Sequence, residues 1–139
     1  MTPKQWLRRG IKIDQEIAVL VHTRDGLKRR LTSAVGVHVE GHNESPDPHK
    51  FDRLVELNDA IDRMIDEMVA VKTEITETIF KLEDRRYREL LMLRYINGED
   101  WDPIADELHY SKRHVTKLHG WALDAIAKII PEEDTQCES

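Results

Sequence analysis

The sequence has a single cysteine, Cys137, so no internal disulfide can form, which agrees with a reducing compartment. No apolar run approaches the roughly 20 residues that a membrane span needs, and the opening MTPKQWLRRG has no apolar signal-peptide core. The expected location is therefore the cytoplasm, with no membrane partner. There is no glycine-rich loop to cradle phosphates and no nucleophile beside a base, and the acids are strewn along helix surfaces, so an enzyme is not expected. The stretch 33–50 holds His38, His42 and His49 but no cysteine. Structural zinc sites usually take four Cys or His ligands at tight spacings, so neither a metal nor a cofactor is expected.

What is present is charge and helical pattern. The 139 residues are 40% hydrophobic and 35% charged, the composition of a soluble, helix-rich protein with a modest core. The formal charge of -6 conceals a strong asymmetry. Residues 1–33 carry eight Lys/Arg against three Asp/Glu, and residues 51–83 carry four against nine. The tail from Pro131 adds four acids, whereas the sixteen residues from Leu108 to Leu123 contain none. Net charge is thus a poor guide to partners here, and the local pattern matters more.

The pattern predicts an all-α chain, a long antiparallel, coiled-coil-like helical arm over 1–83 followed by a helix-turn-helix domain over 84–130 and an acidic disordered tail over 131–139. A first helix is expected from Pro3 to about Leu31, capped by Thr2 and loosened near Gly10 or Gly26. Its basic residues, Arg8, Arg9, Lys12, Arg24, Lys28, Arg29 and Arg30, are read first as solvating the helix and complementing the acidic one, and second as nucleic-acid contacts. A flexible linker follows over 33–50. From Asp52 to Glu83, Leu54, Leu57, Ile61, Met64, Met68, Val71, Ile75 and Leu82 fall on a 3-4 spacing broken by Thr78. That lays one apolar seam along roughly 45 Å of helix. Either the first helix or a second copy of the chain must cover it, and both can do so in a four-helix dimer.

After Leu82 the pattern changes. Asp84 is placed to cap a helix that Asn97-Gly98 ends, Asp100 or Asp102 to cap the next, and Ser111 to cap the last. Trp101 to Leu123 then reads as a helix-turn-helix. Its second helix, 111–123, buries Val115, Leu118 and Ala122 and offers Lys112, Arg113, Thr116 and Lys117 to the major groove of double-stranded DNA. Arg113 has the fork for a guanine edge, Thr116 suits a thymine methyl or a phosphate, and Lys112 and Lys117 suit phosphates. His114 and His119 are read either as packing at the core edge or as further DNA contacts.

The segment YRELLMLRYINGEDWDPIADELHYSKRHVTKLHGWALDAI resembles region 4 of bacterial sigma factors. The whole chain is similar in layout to small phage-encoded transcriptional regulators of the ArpU/RinA type, with Tyr110 to Leu123 as the specific part of the match. The resemblance implies a phage or prophage late-gene activator in a bacterial host, and contact with bacterial RNA polymerase. Two departures stand out: His109 occupies a corner where sigma-type sequences usually have glycine, and Trp121 stands where they often have arginine. Two other readings stay open, a DNA-packaging protein like a terminase small subunit and a helical interaction protein without DNA binding.

Overall fold

The structure, a computed structural model, describes residues 1–36 and 48–131. Those residues are all-helical: α1 (Pro3–Gly36), α2 (Pro48–Phe80), α3 (Arg85–Leu91), a wide turn over Met92–Ile96, α4 (Trp101–Leu108) and α5 (Lys112–Ala127). Residues 37–47, with His38 and His42, and the acidic tail 132–139 lie outside the described residues.

Local chemistry explains most of the ends. At the start of α1, the Gln5 N–H donates to the Thr2 hydroxyl (3.2 Å) and the Thr2 N–H donates to the Gln5 side-chain carbonyl (2.9 Å). This reciprocal box satisfies donors that a helix start leaves open, and Pro3 at the first position gives up no bond. The expected loosening at Gly10 or Gly26 does not occur, and α1 runs on to Gly36. α2 begins at Pro48, earlier than the expected Asp52, because a proline costs nothing at a first helical position. The linker is shorter than 33–50 at both ends accordingly.

The described residues form two compact units, residues 1–14 with 69–131, and residues 15–36 with 48–68. The first unit crosses the expected boundary between 83 and 84. Its core holds Trp6 and Leu7 from α1, Ile75 and Ile79 from α2, Leu90 and Leu91 from α3, Tyr95, Ile104, and Val115, Leu118, Ala122 and Ile126 from α5. The change of pattern at Leu82 therefore marks the end of a helix inside this unit, since Leu82 is itself buried in the same core. Within the unit α1 and α2 run antiparallel: Gly10 lies by Ile75, and Asp14 pairs with Lys72.

In the second unit, Leu27 of α1 packs with Ile61 and Ile65 of α2, flanked by Ile17, Leu20, Val21 and Leu54. Arg24 and Asp62 form an ion pair at 3.1 Å. The expected seam divides unevenly. Ile61, Ile75 and Leu82 are buried, Leu54, Met68 and Val71 are half-buried, and Leu57 and Met64 are each 48% exposed.

Candidate nucleic-acid interface

α4, its corner and α5 are built by short-range signals. Asp84, Asp100 and Ser111 precede α3, α4 and α5 in extended backbone, and the Asp84 and Ser111 side chains accept from the N–H groups of Arg86 and His114. The corner is His109, at φ 59 and ψ 40, the left-handed conformation that closes α4. A side chain there costs about 1 kcal/mol relative to glycine. The Tyr110 N–H donates back to the Ala105 carbonyl (3.0 Å), which turns the chain sharply into α5.

Upstream, the expected stop at Asn97-Gly98 is met by Gly98, at φ 71. Before it the helix widens: the Asn97 N–H donates to the carbonyl of Met92, five residues back (2.9 Å). Tyr95 and Ile96, neighbours in sequence, are both buried in this widened turn.

α5 is sharply two-faced. Val115, Leu118, Ala122 and Ile126 are buried, as the spacing predicts, and Ser111, Lys112, Arg113, Thr116, Lys117 and Gly120 are exposed. The cations differ in freedom. Lys112 is held by Asp102 of α4 at 2.9 Å, and its pKa is raised by that bond. Arg113 and Lys117 have no carboxylate partner among the described residues. The Thr116 hydroxyl donates to the Lys112 carbonyl (3.0 Å), which leaves its methyl to face outward contacts.

The two histidines separate. His114 is half-buried and lies edge-on to Tyr110 (ring centroids 4.6 Å) and to the half-exposed Trp121 (6.4 Å). His119 turns towards the core. Its Nε2 shares a 2.7 Å hydrogen bond with the Tyr95 hydroxyl, and its ring meets Trp101 at 4.6 Å. Arg94 lies over the other partner, 4.8 Å from the Trp101 ring, and donates to the Glu99 carbonyl (3.0 Å). Nothing in residue type or spacing announces this Tyr95–His119–Trp101 cluster, because the three side chains come from three elements.

Burial, with Lys4 and Arg94 nearby, lowers the His119 pKa from 6.5 to about 4. The unfolded chain therefore takes up a proton at this ring before the folded chain does. Stability contributed by neutral His119 is intact above pH 6.5 and is lost as the pH falls towards 4. Denaturant melts across that window should lose stability by no more than about 1.4 kcal/mol per pH unit from this one group. His119→Gln should flatten the slope; an undiminished slope would assign it to other groups.

Among the described residues no group of His, Cys, Asp or Glu could hold a metal, and no helix is long and apolar enough to cross a membrane. The described residues thus define an all-α protein with a two-helix corner whose second helix has one buried and one exposed, acid-free face over its first three turns. The chain matches over residues 31–126, more than half its length, the family described as a protein of unknown function, DUF1492, and it belongs to that family. No curated protein and no solved structure matched it.

Proposed function

We propose that this chain is a non-enzymatic, sequence-specific DNA-binding transcriptional regulator of the phage late-gene activator type. It reads the major groove with α5 and acts as a dimer in the bacterial cytoplasm. The observation that carries the reading is the α4–His109–α5 corner, which fixes α5 by a buried stripe and leaves Arg113, Thr116 and Lys117 on its outer face. The sigma region 4 resemblance supports the same role and adds bacterial RNA polymerase as a partner. Trp121, 47% exposed beside that face, is a candidate for the polymerase contact. A gel-shift titration on duplex DNA tests the reading: binding that weakens steeply with salt is expected, and no shift at low salt would overturn it.

Two cations without carboxylate partners on α5 are few for tight binding. Joining two copies makes the second contact effectively intramolecular and can raise affinity by about a hundredfold. The second unit has the surface for it. Leu57 and Met64 lie seven residues apart on one face of α2 and are each 48% exposed. Apart from the internal Arg24–Asp62 pair, the α1 part carries Lys28, Arg29 and Arg30, and the α2 part carries Glu56, Asp59 and Asp66. A second copy related by a two-fold axis sets each basic helix against an acidic one. Leu57→Glu with Met64→Glu should halve the mass measured by light scattering while the far-UV helical signal is kept. An unchanged mass would place association elsewhere, and a ring-sized wild-type mass would favour the packaging-protein reading.

A further inference from the structure

The first unit joins the start of α1 to the candidate DNA-reading helix. Trp6 and Leu7 are buried in the core that also holds Val115 and Leu118 of α5. Gly10 lies so close to the wide turn that a Cβ there would sit 2.6 Å from the Tyr95 carbonyl oxygen. These contacts hold residues 1–14 in one compact body with α5.

On the outer side of this segment stand Lys4, Arg8 and Lys12, four residues apart and therefore on one helix face. All three are exposed, and none has a carboxylate partner among the described residues. Their neighbours are engaged. The Arg9 guanidinium lies over Trp6 (4.8 Å) and donates to its carbonyl (3.0 Å), and Asp14, the nearest acid along the helix, is taken by Lys72. Lys4 is near enough to His119 of α5 to help hold its imidazole neutral, behind the larger effect of burial. Arg8 likewise acts on the buried Tyr95 phenol, whose pKa burial raises and Arg94 and Arg8 pull back.

α5 lacks the charge that its proposed partner demands. Lys112 is paired with Asp102, and α4 beside it carries Asp102, Asp106 and Glu107. The exposed cations of this unit without a carboxylate partner among the described residues are Lys81, Arg113, Lys117, Lys128 and the three of the α1 ridge, which alone form a row of three on one helix face.

We infer that Lys4, Arg8 and Lys12 form a second DNA-contacting surface, which grips the phosphate backbone of the duplex whose groove α5 enters. The ridge carries no base readout. It supplies sequence-independent affinity, and α5 supplies the preference. The inference rests on the DNA-binding reading, and the occupant is double-stranded DNA, because three point charges at one-turn spacing along a rigid helix suit a row of phosphates.

The test is a salt titration of binding to a fluorescein-labelled duplex of mixed sequence, read by anisotropy. Each lost phosphate contact makes the slope of log K against log salt shallower by about 0.9. Lys4→Gln with Arg8→Gln and Lys12→Gln should remove two to three such contacts, lower the affinity at least tenfold and leave the thermal midpoint in place, while Lys4→Arg with Arg8→Lys and Lys12→Arg binds as wild type. A second measurement uses the unaltered chain: added duplex should protect Lys4 and Lys12, like Lys117, from an amine-reactive reagent, and leave Lys50 reactive. Loss of slope in Lys117→Ala but not in the ridge variant, with Lys4 and Lys12 unprotected, would overturn this inference alone. A wild-type chain that leaves the duplex unbound would overturn both it and the DNA-binding reading.

Discussion

Gly10→Ala should destabilise the first unit, although the same change in an exposed helix interior stabilises by about 1 kcal/mol. The new methyl would meet the Tyr95 carbonyl oxygen at 2.6 Å, and that oxygen belongs to backbone held between buried residues on both sides. Either α1 withdraws and uncovers Trp6 and Leu7, or the wide turn shifts and disturbs the Tyr95–His119 bond. Overpacking of this kind costs about 1–3 kcal/mol, which moves the midpoint of a unit this size by about 4–8 °C per kcal/mol. Gly26→Ala is the matched control. Only the tip of the Arg29 side chain lies within reach of its Cβ, at 3.8 Å, so a gain of about 0.4–1 kcal/mol is expected. Calorimetry on both variants checks the pair: opposite signs are predicted, and like signs would mean that α1 does not press on the wide turn.

Arg113→Ala carries the largest expected functional effect. Arg113 lies in the first turn of α5, exposed and without a carboxylate partner among the described residues. In a helix that enters the major groove this is where a planar fork reaches a guanine edge. Its removal should cost about 1–3 kcal/mol at the preferred sequence and flatten the preference at one position. Lys117→Ala, which removes a point charge, should weaken all duplexes alike and make the salt dependence shallower by about one contact. Competition titrations with preferred and scrambled duplexes separate the two. Equal losses on both duplexes for Arg113→Ala would make it a phosphate contact.

The parts of this fold that were legible in the sequence are those fixed by near neighbours. Ser111 and Asp84 are caps because a short acceptor precedes a helical pattern, and both accept the expected N–H groups. His109 stands at the corner where the resemblance to sigma region 4 puts it, and its backbone is left-handed there. What spacing could not give is which distant element covers a stripe. The periodicity put Leu57 and Met64 in the same seam as Ile61 and Ile75, yet two are half-exposed and two are buried, since a period marks a face and says nothing about its cover. Lys112 read as a phosphate contact from its place on α5, and Asp102 takes it only because the corner brings the start of α4 alongside.

The N-terminal segment was the least legible. Its positive charge read as a solvated helix face, because the sequence offers no local sign that Trp6 docks into the core of residues 69–130. Trp6 and Gly10, a large side chain and a bare backbone one turn apart on the same helix, are compatible with many environments. Only the contact with Tyr95 gives that pair its meaning.

Whether α5 reads DNA sequence is tested directly by one selection. The purified chain is incubated with a pool of random-sequence duplexes, bound DNA is recovered and sequenced over successive rounds, and Arg113→Ala is carried in parallel. The wild-type chain should enrich a defined motif, and the variant should lose preference at one position within it. Recovery of the pool without any enriched motif by the wild-type chain, or of the same motif with undiminished preference by both, would contradict sequence reading by α5.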